Sequence, residues 1–360
     1  SRPVREIDLL SSRLYVGAGM RVQAGPILRK LLPEARRAFL LTDRNCARYA
    51  GQVSKSLAGA DLEVETHALP SGEIQKKLST AGRLYGVLAD RKVDRRTVFV
   101  AVGGGVITDL GGFVASTYMR GLPLVTVSTT LLGQVDAAIG GKTAVNLPQG
   151  KNLVGTFYQP RAVLLDPAVL ESLPARDYVS GLGEVAKYVI IRDATLGALI
   201  EEHIEEIRGR DPGVLEEVVH RCAAIKAAIV TEDERESGLR AILNYGHTIG
   251  HALEAAGNYR TLHHGEAISI GMEAEAILAM ELGIAPLEML AAQNRLLKLC
   301  GLPTRIRKMS QKKVLTAMKL DKKGVDGRLR FVLPEAVGKV RWPVEVPASL
   351  IAAALRTVTA

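Results

Sequence analysis

The stretch 97–113, T-V-F-V-A-V-G-G-G-V-I-T-D-L-G-G-F, decides the fold. Apolar, β-rich residues run into three glycines, and a helical pattern starts directly after them. A strand that feeds a glycine turn and then a helix is the opening of a βαβ unit. Glycines at such a turn let the backbone touch a pyrophosphate, and the helix N-terminus offers unpaired N–H groups and positive potential. The spacing departs from the dinucleotide fingerprint, because Thr108 stands where the last glycine would be. A tight turn with a purely structural purpose is the alternative account.

Outward from this stretch, strand and helix signals alternate through the first half. Runs 14–16, 38–42, 62–68, 123–127 and 162–165 read as further short strands, with helical pieces such as 74–89 between them. This predicts an α/β, Rossmann-like domain with a mostly parallel sheet. In such sheets ligands bind beyond the carboxyl ends of the strands. Polar residues gather there: Asp43 and Asn45 after the second run, 103–109 after the fourth, Thr129 and Thr130 after the fifth. Asp43 is placed to accept hydrogen bonds from a ribose, or equally to cap the next helix. From Ala175 onward the pattern is helical, in pieces 178–191, 214–230, 267–282 and 287–299, with one strand-like pair at 329–333 and 339–342. Two domains are expected, 1–173 and 174–360, the second essentially all-α, with no Gly/Ser linker between them.

Composition sets outer limits. The chain has 360 residues, 47% hydrophobic and 24% charged, as in ordinary globular proteins. Its net charge of +9 raises nucleic acid as a partner, but the cations are scattered and aromatics make up only 4%. An anionic small molecule is the better expectation. Three well-separated cysteines, Cys46, Cys222 and Cys300, argue against a disulfide framework and fit a reducing, cytoplasmic setting. No apolar run approaches the roughly 18 residues a membrane span needs. Residues 1–10 carry charges where a signal peptide would be apolar. The chain opens on Ser1 rather than Met, which suggests a trimmed or processed start.

Four of the seven histidines lie in 243–266, L-N-Y-G-H-T-I-G-H followed by H-H-G-E. His247 and His251 stand four apart and so share a helical face, a common way to present imidazoles to a divalent metal. The zincin pattern needs a Glu after the first His, and Thr248 stands there, so a metalloprotease is excluded. A further ligand must come from elsewhere, and Glu184 in G-L-G-E-V-A-K is the best distant candidate. Helical histidines in a core or on a surface are the alternative. Asp136, Lys142, Asn146, Lys151 and Asn152 sit among small residues in 129–160, as in a phosphate or carboxylate site. Glu184 and Lys187 would ordinarily be a surface ion pair, but Gly181 and Gly183 are odd on a merely solvated helix.

Together these motifs resemble the 3-dehydroquinate synthase family. G-G-G-V-I-T-D-L-G-G-F, T-T-L-L-G-Q-V-D-A-A-I-G-G-K, G-K-N-L-V-G-T-F-Y-Q-P, G-E-V-A-K, L-N-Y-G-H-T-I-G-H, H-G-E-A and D-K-K carry the resemblance, in family order, from about Asp43 to about Leu333. It implies an NAD-binding domain, a helical domain, an active site between them, a homodimer, and one divalent metal, zinc or else cobalt. By position, Glu184, His247 and His264 resemble the metal ligands, and His251 becomes a substrate-side residue. Lys142, Asn152, Lys187, His251 and Lys322 resemble the catalytic set. Asp136, Lys226, Arg240 and Asn244 resemble substrate contacts, and Arg120 the arginine that reaches the partner subunit's site. Asp43, Asn45, Glu73, Lys76, Gly104, Gly105, Asp109, Thr129, Thr130, Lys142, Lys151 and Ser172 fall on cofactor positions. Ser128, Gly133, Thr108 and Ser172 depart from the usual residues without removing a charge.

The resemblance implies conversion of 3-deoxy-D-arabino-heptulosonate 7-phosphate to 3-dehydroquinate and phosphate, in the shikimate pathway to chorismate and aromatic amino acids. A metal-dependent alcohol or glycerol dehydrogenase would share the cofactor turn, but would not need Lys142, Lys187, Lys226 and Arg240. Another sugar phosphate cyclase, on a substrate without the carboxylate, is the nearer alternative. A nucleic-acid binder would need clustered charge.

Overall fold

The glycine-rich stretch forms a strand, Val98–Gly103, and a helix, Gly105–Thr117. All six strand residues are buried, the signature of a strand covered on both faces. The computed structural model describes residues 4–321 and 329–360. It resolves the chain into two units, one of Ser1–Leu173 with Arg210–Thr231, the other of Pro174–Gly209 with Glu232–Ala360.

In the first unit the strands are β1 (Arg5–Leu9), β2 (Ser12–Val16), β3 (Arg37–Asp43), β4 (Glu63–Leu69), β5 (Val98–Gly103), β6 (Leu124–Ser128), β7 (Lys142–Leu147), β8 (Gly150–Phe157) and β9 (Ala162–Leu165). Seven of them form one sheet in the order β1-β2-β9-β6-β5-β3-β4. Every pairing in it is parallel except β1 with β2. The six expected runs are all strands of this sheet. β1, an alternating edge strand R-E-I-D-L, and the antiparallel β7–β8 hairpin were not expected. The hairpin's lysines and glycines read as a loop, yet its polar residues only alternate with buried Thr143 and Val145.

The helix Gly105–Thr117 packs on the sheet through Leu110 and Val114, against Phe39, Leu41, Phe99 and Ala101. A Cβ on Gly111 would stand 3.1 Å from Ala101 and 3.2 Å from Phe99, so the glycine lets helix and strand approach. Parallel pairing brings the ends of β3, β5 and β6 to one edge, and with them Asp43, Gly104 and Thr129.

The expected split at 173 needs a correction. Helix Pro212–Glu232, placed with the second domain by the sequence, belongs to the first unit up to Thr231. Polar anchors explain why. Glu216 accepts the Ala18 N–H at 3.1 Å, Arg5 pairs with Glu217 at 2.5 Å, and Arg210 donates to the carbonyls of Leu170 and Leu173.

The second unit is helical, with one antiparallel hairpin of β10 (Arg330–Ala336) and β11 (Lys339–Glu345). In helix Ala175–Ile191 every residue from Ser180 to Ile191 is buried. Helix His264–Glu281 is nearly as enclosed, as core helices are. They touch through glycine: a Cβ on Gly265 would lie 1.8 Å from the Ser180 carbonyl, and one on Gly183 2.8 Å from the Gly265 Cα. Among the described residues no helix is long and apolar enough to cross a membrane.

Gly265→Ala should therefore destabilise the protein by about 3 kcal/mol, the upper range for overpacking. Gly86→Ala, in the helix Leu78–Asp90 with nothing within 4 Å of its would-be Cβ, should gain about 0.5–1 kcal/mol from helix propensity. Denaturant unfolding of both variants decides; equal shifts would contradict the packing account.

Candidate active site

In the second unit, Glu184 sits in the buried helix Ala175–Ile191 with no exposed surface. Its Oε2 lies 2.5 Å from Lys187 Nζ, one turn further on, and Lys187 is itself buried. The pair expected at i,i+3 thus exists, but in the core rather than on the surface. Glu184 Oε1 lies 3.2 Å from His247 Nε2 and 3.0 Å from His264 Nε2. Burial works to raise the Glu184 carboxyl, but Lys187 and the two imidazoles hold it well below the usual carboxylate range.

The other nitrogen of each ring is already committed. His247 Nδ1 donates to the Tyr245 carbonyl at 3.0 Å, and His264 Nδ1 faces Glu254 Oε2 at 3.2 Å. Both Nε2 atoms are therefore aimed at one carboxylate oxygen, an arrangement that needs a proton or a cation between the groups. One carboxylate oxygen and two Nε2 atoms, all within 4.8 Å of one another, fit a divalent ion. The Nδ1 partners supply the outer support that such imidazoles use. Burial lowers the basicity of His264, but the carboxylates of Glu184 and Glu254 raise its pKa to about 10.

His251 is exposed, its ring 5.2 Å from that of His247 and 5.9 Å from that of His264. It stands beside the three-residue cluster, with Glu254 and His264 near enough to form a second group. His263 turns instead to Asp177, at 3.1 Å. Arg240 is buried and donates to the Glu234 carbonyl. Its loop is held by Asp233, which accepts N–H bonds from Ser237, Gly238 and Arg240 and is held at about 2 by those bonds, that of Ser237 foremost. Asn244 donates to Glu236 Oε1 at 2.7 Å.

Sequence reasoning missed Glu236, Glu254 and Tyr245. Glu254 was findable, since it lies three residues after His251 and seven after His247, on the same helical face. Glu236 carried no signal, because a single acid in E-D-E-R-E-S is anonymous until a left-handed backbone (φ +61°) aims it.

In the first unit, Asp43 takes the capping role. Its Oδ1 caps the following turn through the N–H groups of Asn45 and Cys46 and accepts from Ser71, so all three bonds fall on one oxygen. Gly104 precedes the helix Gly105–Thr117 with no side-chain cap, and a Cβ there would meet Thr130 at 2.8 Å. A Cβ on Gly105 would meet nothing nearer than 4.0 Å, so the helix N-terminus is open to close approach, as binding a pyrophosphate there would require. Thr129 is buried against Cys46, and Thr130 Oγ1 accepts the Gly133 N–H.

Lys76, buried, reaches Asp109 Oδ2 at 2.5 Å and Asn152 Oδ1 at 2.6 Å, so a position expected for the cofactor and one expected for the catalytic set share a lysine. Burial raises the Asp109 carboxyl despite Lys76. Glu73 accepts from Asn146 at 2.7 Å and stands 3.9 Å from Lys151. Lys142 begins β7, exposed; Asn45 and Arg120 are exposed too, and Ser172 Oγ lies 2.6 Å from Tyr49 Oη. Lys226 is buried in the first unit, bonded to the carbonyl and carboxylate of Asp136 at 2.7 and 2.9 Å, and Arg240 belongs to the second unit. Lys322 lies outside the described residues.

The family descriptions 3-dehydroquinate synthase N-terminal and C-terminal match residues 66–180 and 181–324. The chain belongs to the 3-dehydroquinate synthase family. The 3-dehydroquinate synthase of Symbiobacterium thermophilum is 47% identical over 330 residues, covering 91% of this chain and 92% of its own. Among solved structures, 2-epi-5-epi-valiolone synthase from Streptomyces hygroscopicus subsp. jinggangensis, with NAD+ and Zn2+ bound, superposes with a TM-score of 0.88 at 30% identity, covering 99% of both chains. A 2-deoxy-scyllo-inosose synthase complexed with carbaglucose-6-phosphate, NAD+ and Co2+ gives 0.89 at 28% identity, covering 99% of this chain and 100% of its own. The 3-dehydroquinate synthase family thus shares its fold with cyclases that hold NAD+ and a divalent ion.

Two outcomes follow from the cluster in the second unit. His247→Ala should abolish stoichiometric metal binding; a fully metallated variant in elemental analysis would exclude His247 as a ligand. Because the His264 ring holds a proton until about pH 10, an ion bound at its Nε2 must displace it. Loading the metal-free protein between pH 7 and 9 should release about one proton per ion, and affinity should fall about tenfold per unit as pH drops. Calorimetry in buffers of different ionisation heat measures this, and zero release would contradict it.

Proposed function

We infer that this protein is an NAD- and divalent-metal-dependent lyase that converts 3-deoxy-D-arabino-heptulosonate 7-phosphate to 3-dehydroquinate and phosphate, a step of the shikimate pathway. The observation that carries the inference is the convergence of Glu184, His247 and His264, in a chain whose family is 3-dehydroquinate synthase along both halves. When bound, the metal supplies Lewis acidity to the substrate hydroxyls and NAD a transient acceptor for the C5 hydride.

The ion is zinc, with cobalt as the alternative, since imidazole and carboxylate together suit both. Asp43 accepts from a ribose, the N–H groups at Gly104 and Gly105 face the pyrophosphate, and Asn45, Glu73, Lys76, Asp109, Thr129, Thr130, Lys142, Lys151 and Ser172 complete the cofactor contacts. Lys142, Asn152, His251 and Lys322 hold the phosphate end, whose own oxygen takes the C6 proton during elimination. Lys187 keeps Glu184 ionised and belongs to the catalytic set. Arg240 and Lys226 meet the carboxylate, and Asn244 and Asp136 line the substrate. Domains near 1–173 and 174–360, the first extended by 210–231, divide cofactor from metal. The protein works in the cytoplasm as a homodimer, with Arg120 serving the partner subunit's site and neither nucleic acid nor membrane as a partner. Supporting the role of Arg120, it stands exposed on a left-handed backbone (φ +68°) at the end of a helix.

Phosphate release from the heptulosonate phosphate tests the reading. Product should exceed added NAD many-fold with no net NADH, because oxidation and reduction occur on one substrate; one-to-one consumption of NAD would indicate a dehydrogenase. The carboxylate gives a second test. Arg240 gains charge-assisted hydrogen bonds from it, each worth about 1.5–3 kcal/mol. Sedoheptulose 7-phosphate, with a hydroxymethyl instead, should be turned over at least ~100-fold less efficiently, at about 1.4 kcal/mol per tenfold. Comparable turnover of both sugars would favour a different cyclase.

A further inference from the structure

We propose that Asn146 is a positioning residue that sets both the cofactor-facing Glu73 and the substrate-facing Asn152, a proposal that rests on the roles given to those two residues above. The β7–β8 hairpin pairs Val145 with Val154 and then Leu147 with Gly150. Asn146 alone therefore faces the three residues Lys151, Asn152 and Leu153. A bulge of this kind bends its strand and re-aims side chains. Here it sets Asn152 in the left-handed region, φ +57°, which asparagine adopts more readily than most side chains.

Asn146 anchors this bulge. Its Oδ1 accepts the Asn152 N–H at 3.0 Å, and its Nδ2 donates to Glu73 Oε1 at 2.7 Å. Its own N–H donates to the Lys76 carbonyl at 2.9 Å, across a bridge of Lys77 with Asn146. One amide thus ties the bulge to the turn 73–76. The tie brings Lys76 Nζ to Asn152 Oδ1 and to Asp109. Asp cannot replace it in full: accepting from one backbone N–H while donating to a carboxylate requires a group with both an acceptor and a donor, and a carboxylate has no donor.

The two ends can be separated by substitution. N146A removes both bonds. N146D is nearly isosteric, keeps the acceptor for Asn152, and places a carboxylate against Glu73. Each variant of the metal-loaded, full-length protein is titrated with NAD by calorimetry in the absence of substrate. It is then assayed for kcat and KM on the heptulosonate phosphate at saturating NAD. Both variants should raise the Kd for NAD about tenfold, the scale of one hydrogen bond to a charged group. N146A should lower kcat/KM on the order of tenfold more than N146D does.

Variants that only lose melting temperature, with unchanged Kd and equal kcat/KM, would overturn the proposal. So would N146D matching N146A in kcat/KM, since the Asn152 acceptor would then be idle. Should N146A not fold, an unchanged NAD Kd in N146D is by itself sufficient to overturn it. Phosphate release by the unmodified protein reads the function separately, so a wrong function and an idle Asn146 give different results.

Discussion

A carboxylate with no exposed surface governs the second unit. Glu184 cannot be left unpaired, because an uncompensated buried charge costs several kcal/mol. One counter-charge, Lys187, comes from its own helix; the imidazoles of His247 and His264 come from two others. Side chains that short meet only if the helices nearly touch. Next to each of the three stands a glycine, Gly183, Gly246 and Gly265, and each has its would-be Cβ space filled by another helix. Gly246 also needs its left-handed φ of +78° to turn the chain into the His247 helix. A second carboxylate without exposure, Glu275, then takes the Gly246 N–H at 2.6 Å and supports that helix's start. The site's chemistry and the unit's packing are one constraint.

The first unit applies the same economy to cations. Lys76 and Lys226, like Lys187 in the second, are buried and ion-paired, with Asp109, Asp136 and Glu184 in turn. These three lysines are therefore not loose positive charges awaiting an anion. Under the proposed function, an incoming phosphate or carboxylate would join pairs that already exist and meet cations whose direction is set. Pre-set donors lose little freedom on binding, which is where such sites gain affinity.

Strands were legible in β2, β3, β5, β6 and β9, which are buried almost throughout, and in β4, whose β-rich run alternates along the sheet edge. β1 was not, because its charged residues alternate on an edge, and the β7–β8 hairpin was hidden by its glycines and lysines. Helix 212–232 was legible as a helix, but not its allegiance, since that is settled by Glu216 and Glu217 reaching residues some two hundred positions away. At the metal cluster, spacing alone pointed to His247 with His251. Only the resemblance pointed to His264, whose nearness to Glu184 depends on a glycine contact between helices that no local pattern encodes. Asp43 offered two readings, cap and ligand acceptor, because an aspartate at a strand end suits either; its Oδ1 caps the next turn.

The return of 210–231 to the first unit has a consequence for how the protein is made. The chain leaves that unit at Leu173, traverses residues of the other, and comes back before leaving for good. On the ribosome, an N-terminal domain ordinarily closes as soon as it emerges. Here the acceptors for Arg5 and for the Ala18 N–H are Glu217 and Glu216, and the counter-charge for Asp136 is Lys226, so the sheet waits, partly uncovered, for those residues to be synthesised. No single cut yields either unit as one uninterrupted piece, and a gene truncated near residue 173 would encode a sheet without its last helix.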